Sequence, residues 1–77
     1  MFITIIHFKK SKQISDTLNL ARYYRFKAAN FANNFVSDSS FYYYILAEKL
    51  YKKIDDKLGL AIVYINKSDI QFQMNDY

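Results

Sequence analysis

The chain has 77 residues, of which 52% are hydrophobic and 19% aromatic, and carries a net charge of +4. That length fills one core and leaves nothing for a second, so residues 1–77 read as a single domain, and the apolar content excludes a disordered chain. Cysteine is absent, which excludes a disulfide framework and a thiolate metal site; so small a domain without such staples is expected in a reducing, cytoplasmic setting.

The first segment, Phe2 to Phe8, is β-branched and aromatic-rich and predicts a strand. Lys9, Lys10 and Lys12 follow this apolar run rather than precede it, which argues against a signal peptide. No run approaches the ~20 apolar residues of a membrane span, so no membrane partner is expected. Lys9 to Ser15 reads as a polar connection, with Ser11 or Ser15 as N-cap and Asp16 favourably placed in a first helical turn. From Asp16 to about Val36 the pattern is helical, with Leu18, Ala21, Tyr24, Ala28, Phe31, Ala32 and Phe35 on one arc.

Ser37 to Ser40 reads as a turn, and a second helix is predicted from about Phe41 to Leu58, burying Tyr44, Ala47, Leu50, Tyr51, Ile54 and Leu58. Gly59, the only glycine, is placed to end that helix in a left-handed conformation. Leu60 to Ile65 predicts a second strand and Asn66 to Asp69 a turn. Ile70, Phe72 and Met74 alternate with Gln71, Gln73 and Asn75 as a third strand would. The predicted fold class is therefore α+β in the order β-α-α-β-β, a helical hairpin packed on a small, mainly antiparallel three-stranded sheet.

The residues that could carry chemistry are few. His7 is the single histidine, with no cysteine or second histidine to share a metal, and it reads as a structural or surface residue. Asp55 and Asp56 are sequence neighbours, so a helix would point them about 100° apart rather than pair them. Ser37, Ser39 and Ser40 read as caps, because a nucleophile needs an adjacent base. One glycine cannot build a phosphate-binding loop. No catalysis, metal or cofactor is expected.

Binding is the better expectation. Residues 1–37 hold six Lys or Arg against Asp16 alone, a charge of +5, while residues 38–77 hold five Lys against six acids. A concentrated basic half points to an acidic partner. On the first helix Arg22, Tyr23, Phe26, Lys27 and Asn30 lie away from the apolar arc, among Asn19, Asn33 and Asn34. Phe41, Tyr42 and Ile45 start the second helix on the side away from its own arc. Exposed aromatics among arginines suit a protein interface, and the leading reading is a small non-catalytic regulatory or inhibitor module docking on another protein through these eight residues. The alternative is nucleic-acid binding through Lys9, Lys10, Lys12, Arg22 and Lys27, since rings stack on bases and cations hold phosphates. A dimer through the edge of the third strand is a further possibility. Arg25 falls inside the apolar arc, where pairing with Glu48 or Asp55, or extension past the aromatics, is expected. Phe, Ile, Lys, Asn and Tyr make up 39 residues, a bias toward A/T-rich codons that fits a phage or other mobile element.

Overall fold

The computed structural model describes residues 2–75, with side chains from residue 12 onward. It has three α-helices in sequence: α1 (Phe2–Asn33), α2 (Ser37–Lys53) and α3 (Lys57–Asn75). The central helix α2 packs against both α1 and α3, and Ala29, Ala32 and Asn33 of α1 line a shared groove with Asn66, Asp69, Ile70 and Gln73 of α3. Two helical residues rise about 3 Å, so the 32 residues of α1 reach well beyond the 17 of α2. The N-terminal turns of α1, before the Gln13–Thr17 stretch that lies beside Lys53 and Ile54, therefore extend beyond the end of α2.

No strand occurs among the described residues, so the α+β expectation fails and the chain is a helical bundle. Phe2 to Phe8 and the supposed connection from Lys9 to Ser15 are both helix within α1. No proline or glycine separates them from the periodic segment that follows, so a helix once nucleated extends through them at little cost. Leu60 to Ile65, the supposed turn from Asn66 to Asp69 and the supposed third strand are all α3. A short apolar run does not by itself distinguish a strand from a buried helix, and α2 supplies the packing that decides the matter. With the third strand gone, so is the sheet edge that offered a route to a dimer. α2 also starts earlier and ends earlier than predicted, because Ser37 to Ser40 form its first turn and Leu58 belongs to α3.

Small residues set the α1–α2 contact. Ala21, Ala28, Ala47 and Ser40 are all fully buried, and their short side chains let the two backbones approach closely. The Ser40 hydroxyl donates to the Ala28 carbonyl at 2.8 Å, so the one buried polar side chain of this contact is satisfied. Tyr44, Tyr51, Val63 and Ile70 complete the core, with Leu18, Tyr24, Ala32, Leu50 and Leu60 packed around it. Burial pushes the Tyr44 phenol above its ordinary value, with Arg25 opposing and Asp69 adding to the rise, so this ring stays neutral through the physiological range. Between α2 and α3, Lys67 reaches Glu48 at 3.0 Å. Leu58 and Phe35, both assigned to the core from the sequence, are exposed.

The two connections are built alike. After α1, the Val36 N–H donates to the Phe31 carbonyl and the Phe35 N–H to the Ala32 carbonyl; after α2, Asp56 donates to Tyr51 and Asp55 to Lys52. Both are Schellman closures, with a left-handed residue at φ 60° (Phe35) and φ 55° (Asp55). Gly59 does neither job: it sits in the first turn of α3, where its N–H donates to Asp56 Oδ1 at 3.1 Å, so Asp56 is the N-cap. Phe35 pays a left-handed penalty that glycine would not, and at 86% exposure it contributes no core contact. Phe35→Gly is expected to stabilise the protein by about 1 kcal/mol, read as a higher urea midpoint. Asp55→Gly should gain less, because aspartate tolerates this conformation better than phenylalanine.

Candidate protein-docking surface

The surface begins with the part of α1 that α2 leaves uncovered. Ala21 and Ala28 define the buried side, and at 100° per residue Tyr23, Phe26 and Asn30 lie opposite them. Tyr23 is 56% and Phe26 63% exposed, and Arg22 and Asn30 beside them are exposed too. From Thr17 to Asn33 this helix carries Arg22, Arg25 and Lys27 and no acid. The face is therefore aromatic, amide-rich and positive.

Tyr43 joins this face to α2. Its ring stacks on Phe31 with centroids 5.6 Å apart and 5° between planes, and on Tyr24 at 6.0 Å. Tyr42 meets it edge-on at 5.3 Å. The Lys27 ammonium lies over the Tyr43 ring at 4.8 Å and near the Tyr23 ring at 5.8 Å. Its pKa is raised, chiefly by its polar contact with the Tyr43 side chain and next by Tyr23. Tyr23, Lys27, Tyr43 and Tyr42 thus form a continuous band from the outside of α1 to the outside of α2, where Tyr42 is 57% exposed.

Six of the eight predicted docking residues belong to this surface: Arg22, Tyr23, Phe26, Lys27, Asn30 and Tyr42. Two do not. Phe41 turns toward α3, where the Lys67 ammonium lies 5.5 Å from its ring centre, and half-buried Ile45 shares that side of α2 at a four-residue step. Tyr43 was missed by sequence reasoning. Phe41 to Tyr44 are four aromatics in a row that a helix aims in four directions, and only the position of α1 selects Tyr43 as the bridge.

The alternative nucleic-acid set is less concentrated. Lys12, Arg22 and Lys27 spread over about 140° of the α1 circumference, and the side chains of His7, Lys9 and Lys10 lie outside the described ones. Arg25 pairs with neither Glu48 nor Asp55. Its Nε donates to the Tyr51 hydroxyl at 3.2 Å, and its guanidinium lies 5.0 Å from the Phe26 ring centre.

Among the described residues no group of His, Asp or Glu is clustered to hold a metal. The grooves are open, and the one between α1 and the end of α2 is lined by Gln13, Ile14, Asp16, Thr17, Lys53 and Ile54, with a single carboxylate and a single amine. No family model matches the chain, and no curated protein or solved structure was found similar to it. The functional reading therefore rests on the surface itself. Among the described residues no helix is long and apolar enough to cross a membrane.

Proposed function

We propose that this protein is a non-catalytic binding module that docks on an acidic protein surface through the outer face of α1. Tyr23 and Phe26 are the anchors, Arg22 and Lys27 supply charge, Asn30 supplies hydrogen bonds, and Tyr42 forms the edge on α2. The observation that carries this reading is the exposure of Tyr23 and Phe26 in the middle of a helix face that has cations and no carboxylate. Aromatic residues and arginine are the types that dominate interface energies, and two rings standing in water beside them are unspent binding surface. Lys27 supports the same assignment, because it is pre-positioned over two rings and loses little freedom when a carboxylate arrives. The cytoplasm is the compartment that suits a small domain without cysteine.

The test is capture of partners from the source cells on immobilised protein, in parallel with Phe26→Ala and Tyr23→Ala. Each substitution is expected to weaken binding of the captured protein by about 10-fold or more, as hot-spot truncations do, while the circular dichroism stays unchanged. Equal capture by the wild type and both variants would sink the reading. Nucleic acid in place of protein, released as salt rises, would move the assignment to Lys12, Arg22 and Lys27 and the basic residues before them.

A further inference from the structure

A second surface lies on the outer side of α3. Val63 and Ile70 mark the buried side of this helix, and Leu58, Ile65 and Phe72 stand diametrically opposite, seven residues apart. They are 73%, 63% and 74% exposed, and Tyr64 flanks them at 45%. Scattered exposed apolar residues need no explanation, but three in register along one helix are the seam of a helix–helix contact. The docking surface proposed above makes no use of it.

From this we infer that α3 is a self-association surface, pairing antiparallel with α3 of a second copy about a two-fold axis at Ile65. Charge selects this occupant. The other helices expose lysines and arginines, Lys12 and Arg22 on α1 and Lys49, Lys52 and Lys53 on α2, so two copies at +4 each repel through those faces. The positions along the α3 seam, Leu58, Ala61, Ile65, Ser68 and Phe72, are uncharged, and the charge nearest to them is exposed Asp69 at the margin, an anion rather than a further cation. This is the face on which like-charged copies meet without opposing cations, and it offers nothing to a strongly acidic or basic partner. The spacing is also self-complementary: Leu58 and Phe72 are equidistant from Ile65, so a two-fold sets Leu58 against the partner's Phe72 and Ile65 against its own counterpart. Antiparallel pairing further opposes the two helix dipoles. At roughly 200 Å² for a large side chain, the exposed parts of these residues and Tyr64 amount to on the order of 500 Å² per copy. The pair then buries about 1,000 Å², the area at which specific interfaces begin.

The experiment is sedimentation equilibrium of the full chain over a range from about 1 µM to 1 mM, at low and high salt, with Ile65→Lys alongside. The wild type is expected to pass from monomer to dimer within that range and to dimerise no less at high salt, because no ion pair holds the contact. Ile65→Lys is expected to stay monomeric with unchanged helicity, since Ile65 is not part of the core. Single-cysteine variants read the geometry in a chain that has no other thiol: Ile65→Cys should oxidise to a disulfide dimer, and Leu58→Cys should cross-link to Phe72→Cys in a mixture faster than either does to itself. A wild type that stays monomeric throughout, or an Ile65→Lys variant that still dimerises, overturns the proposal. Faster cross-linking of Leu58→Cys to itself overturns the antiparallel two-fold. Phe26→Ala is the control, and it should leave the dimer intact while impairing docking.

Discussion

Truncating Tyr51 to alanine is expected to cost about 3–5 kcal/mol, the range for removing a buried aromatic side chain from a packed core. Tyr51 is 2% exposed and lies where all three helices depend on it. Its ring covers the backbone of Gly59 in α3, its hydroxyl accepts from Arg25 of α1, and its own helix holds it between them. Alanine would leave a cavity, strip the Arg25 guanidinium of its hydrogen-bond partner, and remove the surface on which the first turn of α3 rests. A domain this small has a total stability near the lower end of the usual ~5–15 kcal/mol, so most of the chain should unfold at modest urea. Tyr51→Phe separates the contributions. It keeps the ring and loses only the contact with Arg25, which is partly exposed, and about 1 kcal/mol is expected. Urea denaturation followed at 222 nm measures both. A Tyr51→Ala protein within ~1.5 kcal/mol of the wild type would mean that α3 is held by something other than this ring.

The legible part of the fold was the part with one apolar face. In α1 from Asp16 onward, Ala21, Tyr24, Ala28 and Ala32 sit on the side that packs, and in α2 Tyr44, Ala47, Leu50 and Tyr51 do so too. One-sided patterns of period 3.6 survive whatever the neighbours are. The third helix was illegible for a physical reason. It is apolar on two opposite sides, Val63 and Ile70 inward and Leu58, Ile65 and Phe72 outward, so the pattern loses its single phase and reads as strand. The alternation of Ile70, Phe72 and Met74 is an accident of one buried and two exposed residues. Gly59 misled for a related reason, since a lone glycine after a helical pattern signals a left-handed stop more often than a close approach, and the stop is made by Asp55 instead. The outer face of α1 was readable because Tyr23 and Phe26 fall opposite the arc wherever α2 lies. The bridge through Tyr43 was not, because it depends on which side of α2 receives α1.

The reason for glycine at position 59 gives the sharpest test of the α2–α3 contact. In a helix the change from glycine to alanine ordinarily stabilises by about 1 kcal/mol, because the unfolded chain loses freedom. Here a Cβ would be driven into the Tyr51 ring at Cγ, Cδ1 and Cε1, close to the ring's attachment, where no small rotation frees it. That ring is pinned at its other end by Arg25, so relief has to come from moving α3 outward. Gly59→Ala is therefore expected to destabilise the wild type by about 1–3 kcal/mol, the usual cost of overpacking, despite the helix gain. In the Tyr51→Ala background the obstruction is gone. There the same change is expected to reverse sign and stabilise by about 1 kcal/mol, returning the ordinary helix preference and refilling part of the cavity. The double-mutant cycle then yields a coupling of about 2–4 kcal/mol, at or beyond the upper end for residues in contact. Destabilisation of equal size in both backgrounds would instead place the requirement for glycine in the backbone of α3, and the ring-on-backbone contact would not be what fixes the third helix.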